Sequence, residues 1–131
     1  MDRLATYYGH WVGSFTRGEA EQCVEKSNLL MQEAAKTADV QFALIARRVH
    51  GVSRWMVGDL ARAQEDLEWV VAHYNFDRDR DLALRFGQDQ GALAWTFLAF
   101  AVWLRGQADR ARALIDEGLK LAERATISTV P

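Results

Sequence analysis

Proline is almost missing from this chain: the only one among 131 residues is the last, Pro131. Proline removes a backbone donor and clashes with the preceding helical turn, so its absence leaves every segment free to run as unbroken helix. Cysteine is as scarce. Cys23 stands alone, which excludes an internal disulfide and fits a reducing cytoplasm. No basic start, apolar run and small-residue cleavage site open the chain, so no secretory signal is expected. The longest apolar run, Gly91–Leu104 (GALAWTFLAFAVWL), falls short of the roughly 20 residues of a membrane span and reads as a buried helix. Charge of one sign is missing too. Sixteen Lys and Arg are interleaved with 18 Asp and Glu, for a net −2, so neither nucleic acid nor a membrane is expected as a partner.

What is present is core material. Half of the residues are hydrophobic, including five Trp, six Phe and three Tyr, enough for one domain spanning 1–131. The apolar residues recur at three- and four-residue spacing. Ile45, Val49, Val52 and Met56 form one stripe, Ala63, Leu67, Val70 and Val71 a second, and Ala111, Ile115, Leu119 and Ala122 a third. No segment alternates as a strand would. The expectation is an all-α fold.

Three segments repeat one pattern: FTRGEAEQCVEKS, WMVGDLARAQEDL and WLRGQADRARALI. Each has large apolar residues, then a glycine, then a polar residue opening an Ala-rich amphipathic helix. The glycines, Gly18, Gly58 and Gly106, stand 40 and 48 residues apart. Glycine there ends one helix in the left-handed conformation, and a residue such as Asp59 caps the next. Gly51 and Ala99 lie seven residues before their turn glycines, and Ala63 and Ala111 five after, small residues that let two antiparallel helices approach closely.

This pattern resembles the tetratricopeptide repeat family, whose helix pairs stack into a right-handed superhelix with a usual period of 34 residues. The resemblance implies about three antiparallel pairs, six to seven helices, over approximately 3–36, 39–74 and 89–125, with a connector at 75–88. From about Tyr7 to Ala125 the chain is further similar to the repeat arrays of large bacterial regulators with cyclase-type or ATPase-type modules. Tyr74, the turn Gly87-Gln88-Asp89 and Trp103-Leu104 match elements of those arrays. The sequence also departs from the pattern. Trp11 replaces the small residue of the first pair, Gln90 stands where proline is usual, and Arg47, His50 and Arg54 lie on a face that ordinary repeats bury. That face is expected to be partly solvated or to meet a polar neighbour. The C-terminal TISTVP looks like the start of a further repeat, as in a fragment of a longer array.

Candidate chemistry reduces to a few residues. Asp77, Asp79 and Asp81 open like a calcium loop, but Leu82 stands where that loop needs glycine and Gln88 where it needs a bidentate Glu. The segment is therefore expected to be a solvated, self-neutralising connector, with Gly87 in a turn and Asp89 capping the following helix. His10, His50 and His73 lack metal-ligand spacing, and Cys23 has no local nucleophile signature. Glu19, Glu21 and Glu25, and Glu65, Asp66 and Glu68, read as exposed helix acids. No enzyme, cofactor or metal is expected.

By the resemblance, the first helix of each pair lines a concave groove. It would carry Tyr8, Val12 and Phe15, then Arg48, Val52, Trp55 and Met56, then Thr96, Phe100, Trp103 and Leu104. Carboxylate-binding members line theirs with Lys, Asn and Arg. Only Arg48 keeps that character, so a free C-terminal carboxylate is not the expected ligand. An aromatic and Met-rich groove suits an apolar peptide, a helix or another copy of the chain, making this a protein-interaction scaffold. Trp69 and Trp95 read as core. With no polar capping helix, apolar end faces are expected to favour self-association. A small-molecule sensor with an apolar pocket near Arg48 is the alternative.

Overall fold

The computed structural model describes residues 3–86 and 90–129, with side chains to residue 124, and all of its regular structure is helical. Six long helices run in consecutive pairs. These are α1 (Arg3–Thr16) with α2 (Ala20–Ala35), α3 (Val40–Met56) with α4 (Leu60–His73), and α7 (Gln90–Leu104) with α8 (Ala108–Thr129). Two short helices, α5 (Phe76–Asp79) and α6 (Leu82–Phe86), join the second pair to the third.

The turn within each pair has the same cause. Gly18, Gly58 and Gly106 are the positive-φ residues among those described, at 71°, 81° and 87°. Each glycine N–H bonds the carbonyl three residues back: Phe15 at 3.0 Å, Trp55 at 3.1 Å and Trp103 at 2.9 Å. The following N–H bonds the carbonyl five residues back: Ser14 at 3.0 Å, Arg54 at 2.9 Å and Val102 at 2.9 Å. This double bond satisfies the carbonyls that a helix end leaves free. The Asp59 carboxylate then accepts from the Arg62 N–H at 3.4 Å and caps α4, as its residue type suggested.

Close approach follows at Gly51. A Cβ built there would meet Leu67 at 2.8 Å and Asp66 at 3.2 Å, so α3 and α4 touch where only glycine fits. In the first pair Trp11 takes the corresponding place. It is buried, and its indole N–H donates to the Ser53 hydroxyl of α3 at 2.8 Å, tying the first pair to the second. α3 is the central helix, packed against α2, α4 and α7, while α7 also packs on α4 and α8. One core gathers Leu4, Tyr8, Leu30, Ile45 and Val49, and a second gathers Leu44, Leu67, Leu98, Val102 and Leu114. Trp69 and Trp95 pack, half-buried, against the second core.

One sequence expectation is corrected and another is narrowed. Asp66 is not an exposed acid but is buried in α4, because Arg47 and His50 of α3 reach it, at 2.9 and 2.5 Å. The polar face of α3 thus meets a polar neighbour; His50 Nε2 lies 3.2 Å from Asn28 Oδ1, and Arg54 lies 4.0 Å from Asp59. The connector is solvated at most of its described positions, as expected, but two of its residues turn inward. Asp79 is buried, held by Arg78 Nε and Nη2, both at 2.7 Å, and by the Asn75 N–H at 2.9 Å. Leu82 enters the first core. The expected turn at Gly87 and cap at Asp89 lie outside the described residues.

Candidate binding groove

The first helices of all three pairs meet at one cleft. Its lining is Trp11, Val12 and Phe15 of α1, Arg48 and Val52 of α3, and Leu93 and Phe97 of α7, around a volume of about 170 Å³. The Trp11 and Phe15 rings stack at 5.1 Å. Four expected groove residues, Val12, Phe15, Arg48 and Val52, therefore come together. Trp11, Leu93 and Phe97 join them without having been foreseen. α7 is apolar on every side, so no stripe in its sequence shows which face turns to the groove.

Arg48 forms the polar floor. It is almost fully buried, with Nε donating to Gln90 Oε1 at 3.0 Å and Nη2 to the Tyr8 hydroxyl at 2.9 Å. The Tyr8 and Trp11 rings each lie 5.6 Å from the guanidinium carbon. Burial pushes the pKa of Arg48 down from its ordinary value, and the Tyr8 hydroxyl works against that shift. Among the described residues Arg48 has no carboxylate partner.

The other expected groove residues divide. Tyr8 is buried under the connector, with the Phe86 ring edge-on at 5.1 Å, so α6 closes that end of the groove. The Gln41 amide on α3 anchors the connector by donating to the Arg78 carbonyl at 3.1 Å. Met56 packs half-buried on the first core. Trp55 packs half-buried against Phe97 at 5.2 Å and Phe100 at 6.0 Å. Thr96 is exposed, its hydroxyl turned back to the Ala92 carbonyl at 2.8 Å. Leu104 is exposed at the end of α7. Phe100 and Trp103 line a different cleft of about 310 Å³, between α7 and α8, with Ala111, Arg112 and Ile115.

Of the residues weighed for catalysis, His10 is exposed, and Cys23, His50 and His73 have partners within the fold. Cys23 is fully buried in the first core, and that burial pushes its thiol pKa up, away from the reactive thiolate. His73 stacks on Trp69 at 4.1 Å and bonds its carbonyl at 2.8 Å, while His50 is engaged with Asp66 and Asn28. No family of known proteins, no curated protein and no solved structure matches the chain.

Proposed function

We propose that this chain is a non-enzymatic protein-interaction scaffold, three helix pairs stacked as a right-handed tetratricopeptide-like superhelix, that binds an apolar helix or peptide in the α1–α3–α7 groove. The observation that carries this reading is the meeting of Trp11, Val12, Phe15, Val52 and Phe97 from three separate helices in one open cleft. The volume favours one ligand class. About 170 Å³ is less than the roughly 300–1,000 Å³ of small-molecule sites, and suits one or two apolar side chains of a docked helix. Phe15, at the rim and 37% exposed, is the residue to change, because Trp55 is packed and Trp103 lies elsewhere.

A displayed library of helical peptides, selected on the full chain, should return sequences with apolar residues at three- and four-residue spacing. Their binding should be lost in Phe15→Asp while circular dichroism stays unchanged. No enrichment, or binders indifferent to Phe15→Asp, would overturn the proposal. A second reading rests on Arg48 alone, whose cation at the cleft floor has only neutral partners among the described residues. It makes the ligand a small amphiphilic anion. Titration with octanoate should then quench Trp11 fluorescence in the wild type and not in Arg48→Met; an unresponsive wild type removes this reading.

A further inference from the structure

The second and third pairs can be compared position by position, because the same glycine turn fixes their register. Leu67 is fully buried, and its counterpart nine residues after the next glycine, Ile115, is 43% exposed. Val52 is fully buried and its counterpart Phe100 is exposed; Trp55 is packed on Phe97 and Phe100, and its counterpart Trp103 is 60% exposed. The covering body in the second pair is α7, which lies against both α3 and α4. The cleft between α7 and α8 is therefore the counterpart of the groove that α7 fills one pair earlier, and the chain itself shows that a helical surface fits it.

The opposite end of the molecule does not supply that surface. The exposed residues of α1 toward its start are Arg3, Ala5, Thr6, Gly9 and His10, and a Cβ at Gly9 would touch nothing within 4 Å. Head-to-tail stacking would set aromatic rings on small and polar residues. The α7–α8 face, in contrast, matches itself. Along α8 the exposed residues Arg112, Ile115, Leu119 and Glu123 fall on one stripe at helical spacing, basic at its start, apolar in its middle and acidic at its end. Laid antiparallel on a second copy, Ile115 faces the partner's Leu119 and Arg112 comes beside the partner's Glu123, and two-fold symmetry makes each contact twice.

We propose that the α7–α8 face is a two-fold dimer interface with a second copy of this chain, formed by antiparallel packing of the α8 stripes. The interface is separate from the α1–α3–α7 groove and does not depend on what that groove binds.

Sedimentation equilibrium on the full chain tests it. The wild type should be a dimer, and Arg112→Glu and Glu123→Arg should each weaken dimerisation by at least about ten-fold, since each replaces two attractions with two repulsions. The double variant should dimerise again. The two single variants, mixed, should form a heterodimer, because glutamates at 112 and 123 of one copy then face arginines at both positions of the other. Phe15→Asp should leave the mass unchanged. A monomeric wild type, single variants as dimeric as the wild type, or singles that fail to recombine would each overturn the proposal. A dimer lost in Phe15→Asp and kept in both charge reversals would place self-association in the groove instead.

Discussion

Asp79 goes into the interior with its charge because the connector carries its own counter-ion. Burial alone raises a carboxyl pKa; here the hydrogen bonds from Arg78, the Asn75 N–H and Gln41 outweigh it, and Asp79 titrates below the ordinary aspartate value of 3.8. A depressed folded pKa stabilises the fold above the unfolded value. That contribution is lost as the pH falls below 3.8 towards the folded value. Urea midpoints measured from about pH 5 to about pH 3 should fall steeply in the wild type and less steeply in Asp79→Asn, with a cost at neutral pH of about 2 kcal/mol. Equal slopes would show that other carboxylates dominate. Cys23 offers a second residue-scale check. Its buried thiol should react with a disulfide reagent only as fast as the protein unfolds, so native labelling should be slow and made fast by urea.

Among the helices, two glycines in regular α-helix have opposite meanings. At Gly51 a methyl group would drive into Leu67 and Asp66 across the α3–α4 contact, so Gly51→Ala should cost about 1–3 kcal/mol of overpacking despite the better helix former. At Gly9 nothing lies within 4 Å, so Gly9→Ala should stabilise α1 by up to about 1 kcal/mol. Thermal unfolding of the two variants should shift in opposite directions; a shared sign would mean that the α3–α4 approach relaxes. Gly51 and the three turn glycines were legible in the sequence because their causes are local, a φ near 70–90° or a contact between neighbouring helices. The burial of Asp66 and Asp79 was not. A carboxylate becomes tolerable inside only when Arg47, His50, Arg78 or Gln41 arrives, and residue type within one helix does not announce such partners. Likewise the register implied by the resemblance brought Val12, Phe15, Arg48 and Val52 to the groove, whereas α7, apolar all round, gave no face to choose.

At the scale of the whole molecule, each pair packs on the next along the chain, and α3 lies against helices of all three pairs. Stability in such a chain is a sum of pair and interface contributions, so local opening should be graded along it. Ala46, Val49, Val52 and Ser53 of α3 are fully buried, whereas α8 keeps an exposed stripe through Ile115 and Leu119. Native-state hydrogen exchange should therefore find α3 amides the slowest, opening only with global unfolding, and α8 amides faster. The self-complementary stripe adds a concentration dependence. Association protects only the surface it covers, so raising the protein concentration through the dimerisation range should slow exchange in α8 and leave α1 and α2 unchanged. Arg112→Glu should abolish that dependence while preserving the ranking of α3 over α8. Uniform exchange rates across the six long helices would instead mean that the three pairs unfold as one cooperative unit, with Trp11–Ser53 and Arg110–Glu68 as strong couplings between pairs rather than incidental bonds.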